Sequence, residues 1–405
     1  MSEMLKRVGS GWNRFWFTPQ QTSTLALFRI AFGGIVFFWT LSLIPNLFAF
    51  FGPDGIMPTY PQLGPGAWGL LQFSNSPVLL VAVLLMLLMA SVALTIGCYS
   101  RIAAVLVWVG VMAFSHRNPL VGNSGDELVG NLAFFLALAP SGAALSVDRL
   151  RKAPGRFWEF PEKAPWALRL VQIQLSAVYL SAVWQKVQGQ TWRDGTAVSY
   201  ALRIADVGRV PTPEFITHSV VLSELMTFGT LALEASLGIL VWNKVARPWV
   251  LAAGVTMHLG IDFSILVGFF SFTMICAYIS FIPAETVTRR ILAVRDRVLK
   301  RLDRISSRAG AGAGDGAGAP EAADAQPEAG TTGTTAITGI PVQTVRGLIG
   351  GGGATDVFSG STTATLPLPE ETPDVQESPK DQSWSELVAE RRRSVNGAES
   401  RSASS

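Results

Sequence analysis

Lys186 stands at the end of an apolar stretch, Leu168–Val187, where a charge is expensive. The stretch closes Val178-Tyr179-Leu180-Ser181-Ala182-Val183-Trp184-Gln185-Lys186, with Gly189 and Trp192 beyond it. Wound as a helix, it puts Gln172, Ser176, Tyr179 and Lys186 on one side, at spacings of four, three and seven residues. A polar stripe ending in an ammonium within a greasy helix marks a candidate site. Two chemistries fit. Burial away from acids favours the neutral amine, a usable general base, whereas a nearby carboxylate favours the ammonium and a structural ion pair. The side chain can also simply reach the head groups of the outer leaflet. The local sequence does not choose between these.

Other polar residues fall inside or at the edges of apolar stretches: Arg29, Asn131, Glu224, Glu234, His258 and Asp262. Arg29, near the start of its stretch, reads as a snorkelling side chain or a structural ion pair. Glu234 lies deep in its own and needs a partner or a proton. His258 and Asp262, four residues apart, share a helix face, and with Lys186, Asp126 and Glu127 they map to the outer half of the topology set out below. These five can line one outward-facing cavity, with Tyr179, Asn131 and Glu234 supporting it. No ligand spacing makes a metal site, and Cys98 and Cys276 form neither a metal motif nor a disulfide framework. Motifs for phosphate, dinucleotide or nucleic-acid binding are not evident, so nucleic acid is not an expected partner.

The elements that must position these residues are membrane helices. The 405-residue chain is two materials joined near residue 308, the first rich in Leu, Val, Ala and Phe, the second in Gly, Ala, Thr, Ser, Pro and Glu. A mean hydropathy of +0.35 with only 15% charged residues marks an integral membrane protein carrying a soluble tail. Strong spanning stretches are Leu25–Ile44, Val78–Gly97, Leu168–Val187, Val220–Trp242 and Ser264–Pro283; shorter ones are Ile102–Phe114, Leu128–Pro140 and Arg247–Ile261. The first lacks a small-residue cleavage site and reads as a retained helix. Counting eight crossings with the N-terminus inside gathers most cations on the inner side, including the Arg149–Lys163 and Arg289–Arg308 clusters, and leaves the Phe48–Ser76 loop without Lys or Arg. Merging Arg247–Pro283 into one span would put the basic C-terminal cluster outside, so two helices are expected there.

The expected architecture is therefore an all-α, polytopic helical bundle of about eight transmembrane helices, multi-pass in the cell membrane, with both termini cytoplasmic. Residues 1–23 form an interfacial segment built on Trp12, Phe15 and Trp16, and 24–284 the bundle. Residues 285–308 form a basic amphipathic helix that docks on anionic membrane lipid. Residues 309–405 cannot build a core and read as a disordered cytoplasmic tail, in which Asp381–Val395 suits a short helix for a protein partner.

Four stretches carry a family likeness: Asn123-Ser124-Gly125-Asp126-Glu127-Leu128 leading into Gly130-Asn131-Leu132-Ala133-Phe134; Leu145-Ser146-Val147-Asp148; the Tyr179–Lys186 run with Trp192-Arg193-Asp194-Gly195; and His258 followed by Gly268-Phe269-Phe270-Ser271-Phe272. In order and spacing they resemble the HTTM domain, the membrane domain shared by vitamin K-dependent gamma-carboxylases and many bacterial proteins of unsettled function. The resemblance spans roughly residues 20–285. It implies that Lys186 is the base that deprotonates a quinol of the vitamin K or menaquinone type, with His258 lining the same pocket. It departs from the carboxylases at Asn123-Ser124-Gly125, where they carry Asn-Asn-His, and at Ile261, where they carry asparagine. The large lumenal domain of the carboxylases is missing here. These departures count against carboxylation of protein glutamate. Three functions stay open: base-assisted chemistry on a quinol or on a lipophilic or peptide substrate; a non-catalytic role in lipid binding or in assembly or maturation of a partner; and transport, against which the want of a clear inverted repeat counts mildly.

Overall fold

A computed structural model describes residues 2–58 and 68–314, and within these the long apolar runs punctuated by Gly, Pro and charge are mostly helical. The helices are α1 (Ser2–Phe17), α2 (Ser23–Leu43), α3 (Pro77–Ile96), α4 (Ser100–Arg117), α5 (Ser124–Leu138), α6 (Trp166–Gln188), α7 (Val220–Ile239), α8 (Arg247–Ser264), α9 (Phe270–Tyr278) and α10 (Ala284–Gly314), with shorter turns between them. Two short strands, β1 (Gln20–Gln21) and β2 (Glu162–Lys163), pair antiparallel and tie the start of α2 to the segment entering α6.

Among the described residues four segments are long and apolar enough to cross a membrane: Ser23–Phe51, Pro77–Ile96, Trp166–Gln188 and Val220–Trp242. A fifth is reached if Phe270–Phe281 and Ala284–Ile305, which meet at a 102° bend, count as one. That bend falls where the sequence changes from apolar to cation-rich, so α10 turns aside where a membrane core would reject it. Between α2, α3, α4 and α5 lies a core that includes Phe28, Phe32, Leu87, Leu94, Val107, Val111 and Leu132. The far face of α3 exposes Val78, Leu85, Met89, Val92 and Ile96; a helix apolar all round is suited to a lipid solvent.

The structure corrects the sequence reading in two places. Ser264–Pro283 is not one helix. Ser264 closes α8, and α9 with its following 3-10 turn supplies nine plus three residues, about 18 Å of rise against a hydrocarbon core of roughly 30 Å. The chain is diverted because residues 264–266 pair with the 207–209 segment, Arg209 N–H to Ser264 O at 3.0 Å and Leu266 N–H to Val207 O at 2.7 Å, and because Gly268 takes a φ of 62°. The separation of α8 from α9 does agree with the two helices that the charge argument requires. Secondly, Arg29 neither snorkels nor pairs with an acid. It is fully buried and donates to the carbonyls of Ser141 (2.9 Å), Ala144 (3.3 Å) and Leu145 (2.6 Å), anchoring the turn after α5. Helix α10 runs on to Gly314, past the expected boundary at 308. Part of the Phe48–Ser76 loop, the segment Asp381–Val395 and the rest of the tail lie outside the described residues.

Candidate functional site

Each residue of the α6 stripe meets a different element, so the stripe is a polar seam through the helices. Gln172 Nε2 donates to Ser280 O (2.6 Å), and Ser176 Oγ accepts from Trp242 Nε1 (2.9 Å). The Tyr179 hydroxyl bonds His258 Nε2 of α8 (2.7 Å) and the hydroxyl of Tyr278 in α9. Lys186 Nζ donates to Glu234 Oε1 of α7. Polar side chains on interior helix faces bond across helices because an apolar solvent offers them nothing else.

The pair is unequally buried, with side-chain exposures of 25% for Lys186 and 8% for Glu234. The ammonium also sits 4.9 Å from the centre of the Trp192 ring, a cation–π contact. The question left open by the sequence is thereby answered in one respect: a carboxylate stands against the amine, as the ion-pair reading requires. Glu234 lies within electrostatic range of both tyrosines, and Lys186 within range of His258, so the two bonded groups make one cluster. His258 is buried against Phe270, 5.7 Å between ring centres. Two buried atoms in this cluster have no hydrogen-bond partner, Glu234 Oε2 and His258 Nδ1. Leaving such groups unpaired costs about 1–3 kcal/mol each, so they are places for a ligand or a water.

Tyr278 is the member that the sequence reading missed. The signal was there: the chain has only 5 Tyr, and one inside an apolar run needs a partner for its hydroxyl.

The other expected residues lie elsewhere. Asp126 accepts from Trp39 Nε1 (2.8 Å) and from the Asn123 N–H (3.0 Å), forming with Asn123 a capping box at the start of α5. Glu127 and Asn131 are exposed on the same helix. Asp262 pairs with Arg209 (3.4 Å) and makes no bond to His258 despite sharing its face. The run Leu145-Ser146-Val147-Asp148 is also structural. Ser146 caps its own short helix, and Asp148 accepts from Tyr99 N–H (2.8 Å), Ser100 N–H (2.8 Å) and Ser100 Oγ–H (2.7 Å), closing the start of α4. Partial burial works against the Asp148 charge, but these bonds, with Lys152 nearby, outweigh it and hold the carboxyl below its ordinary range. Among the described residues no three His, Cys, Asp or Glu side chains gather as a metal site.

The family model described as the HTTM domain matches residues 17–285. No curated protein and no solved structure matches the chain.

Proposed function

The chain belongs to the HTTM domain family, and on that premise we propose that the cluster around Lys186 and Glu234 binds a hydroxyl-bearing lipophilic molecule of the quinol class and takes its proton. The observation that carries this reading is the pair of buried unpartnered atoms, Glu234 Oε2 and His258 Nδ1, in an otherwise satisfied cluster. Such a quinol would supply, when bound, an acidic hydroxyl on an apolar ring. Glu234 Oε2 accepts the hydroxyl proton, while Lys186 Nζ donates to the other oxygen and holds the carboxylate in place. The base is thus the pair rather than a free amine. Where Tyr179 donates to His258 Nε2, the proton of the neutral imidazole rests on Nδ1, which offers a donor to the ligand.

The test is mass spectrometry of small molecules that co-purify with the detergent-extracted protein, before and after incubation with a menaquinol. Wild type should carry about one quinone per chain, and Glu234→Gln and Lys186→Ala should lose it. A wild type that takes up none, or variants that retain it fully, overturns the reading.

The ion pair itself favours a second reading, in which it only holds α6 to α7 in a non-catalytic protein that binds lipid or serves the assembly of a partner. Glu234→Gln separates the two. It removes the proton acceptor, so deprotonation of a bound quinol fails under the first reading, whereas under the second neither protein deprotonates a ligand and the variant only melts lower.

We also propose eight passes through the cell membrane with both ends cytoplasmic, α4, α5 and α8 adding to the four clearest and the short α9, mostly buried among its neighbouring helices rather than facing lipid, returning the chain to the inner side. The distribution of Lys and Arg between alternate connections supports this, and a cytoplasmic protein would then be the partner of the C-terminal segment.

A further inference from the structure

A second site stands at the other end of α6 and does not depend on the function proposed for Lys186. Arg169 and Lys186 are seventeen residues apart on one helix, about 26 Å along its axis. Three of the four segments able to cross a membrane end beside Arg169, at Ser23, Trp166 and Trp242. Between these ends and the start of α8 lies a cavity of about 810 Å³. A space of this size holds a sizeable ligand.

Its charges are unbalanced. Lys163, Arg169, Lys244 and Arg247 line it against one carboxylate, that of the exposed Glu285. Arg169 donates to Phe15 O (3.2 Å) and to Gln172 Oε1 (2.8 Å). Arg247 donates to the carbonyls of Val241 (2.8 Å), Trp242 (3.3 Å) and Phe281 (3.4 Å). Carbonyl dipoles fix each guanidinium in place without neutralising it. Among the described residues neither arginine forms an ion pair with a carboxylate, and the two repel one another. The Ser280 hydroxyl, 1% exposed, lines the same cavity and has no partner.

Two fixed forks of N–H donors and a spare hydroxyl are the chemistry that recognises a phosphate. The depth is that of a membrane surface, where spanning helices begin and end, and Leu25, Leu168 and Leu251 offer apolar wall beside the cations. We propose that this cavity seats the phosphate of an anionic phospholipid, held between Arg169 and Arg247 with Ser280 as a third donor and the acyl chains along the apolar wall.

The test uses the full chain, purified and delipidated in detergent, with phosphatidylglycerol or phosphatidylcholine added and bound lipid read by native mass spectrometry. One phosphatidylglycerol should bind at least about tenfold more tightly than phosphatidylcholine, since both offer a phosphate but the choline ammonium would bring a further cation among Lys163, Arg169, Lys244 and Arg247. Arg169→Gln and Arg247→Gln should lose the preference, whereas Arg193→Gln, exposed beyond the other end of α6, should keep it. Because Arg247→Gln gives up three carbonyl bonds and risks the fold, two gentler variants complete the test. Ser280→Ala removes an unpartnered hydroxyl, so thermal stability should hold while affinity falls about fivefold. Lys244→Glu, an exposed rim residue, should weaken binding with the fold intact. Equal binding of the two lipids, or losses as large in Arg193→Gln as in Ser280→Ala, refutes the site. Displacement of the lipid by millimolar glycerol 3-phosphate would give it to a soluble phosphate instead and overturn the lipid assignment.

Discussion

Cutting the Lys186–Glu234 pair from its two sides should cost unequal amounts. Glu234 has only 8% of its side chain exposed, and its second oxygen already lacks a partner. Lys186→Ala strands that carboxylate, so the loss should sit near the low end of the range for a buried pair broken on one side, about 3 kcal/mol. Lys186 is 25% exposed, faces the Trp192 ring and has a long flexible stem. Stranded by Glu234→Ala, its ammonium can swing toward water or head groups, and the loss should be about 1 kcal/mol. The double variant leaves no charge behind and should lose about 2 kcal/mol, half the sum of the singles, which gives a coupling of about 2 kcal/mol. The assay is equilibrium unfolding in one fixed detergent, followed by tryptophan fluorescence, as a double-mutant cycle. Additivity of the two singles within about 0.5 kcal/mol would refute the interaction, and Glu234→Ala proving the worse would refute the burial argument.

Two other perturbations follow from the same structure. Tyr179→Phe strips both His258 Nε2 and the Tyr278 hydroxyl of their shared partner and should cost about 2 kcal/mol, whereas Tyr278→Phe leaves the Tyr179–His258 bond and should cost about 1 kcal/mol; the same unfolding assay ranks them, and a reversed order would mean the chain of bonds is not formed. Asp148→Asn should lower stability by about 1 kcal/mol at neutral pH, since it weakens a charged cap on α4. Its carboxyl is held below the ordinary range, so this stabilisation is present above the unfolded value of about 4 and is lost as pH falls through the folded value. Melting temperatures of wild type and Asp148→Asn should therefore converge in acid, and a gap that stays constant down to the pH of unfolding would exclude the charge as its source.

What the sequence made legible was direction rather than partnership. The spacing of Gln172, Ser176, Tyr179 and Lys186 put all four on one face, and all four turn out to bond across to other elements. Helical periodicity carries that information within a single segment. The partner of Lys186 lies 48 residues away and that of Tyr179 lies 79 away, and no local pattern encodes such distances. The same limit misplaced Asp262. Its spacing from His258 is right for contact, but Arg209, from a connection on the other side of α7, reaches it first. Asp126 was misread for a different reason. An Asp three residues after an Asn at the start of an apolar run is a capping signature; the cap takes one of its oxygens and the Trp39 indole the other. The length of α9 was hidden because hydropathy is blind to a bend; the apolar run continues through Gly268, where the backbone turns left-handed and the helix has not yet begun.

Charge balance then separates the two ends of α6 as binding sites. At Lys186 the ammonium has its carboxylate, so the space beside Glu234 Oε2 and His258 Nδ1 favours a neutral ligand that can give up one proton and accept one bond. An anion brought there would meet a carboxylate already in place. At Arg169 the balance is opposite: two guanidinium groups are fixed by carbonyls that carry no net charge, and the unpartnered Ser280 hydroxyl beside them is a donor. A neutral quinol placed there would leave both cations uncompensated, while a phosphate would satisfy all three groups at once. If both proposals hold, a single helix would select ligands of different charge at its two ends through one difference: Glu234 pairs with Lys186, whereas among the described residues no carboxylate forms an ion pair with Arg169 or Arg247.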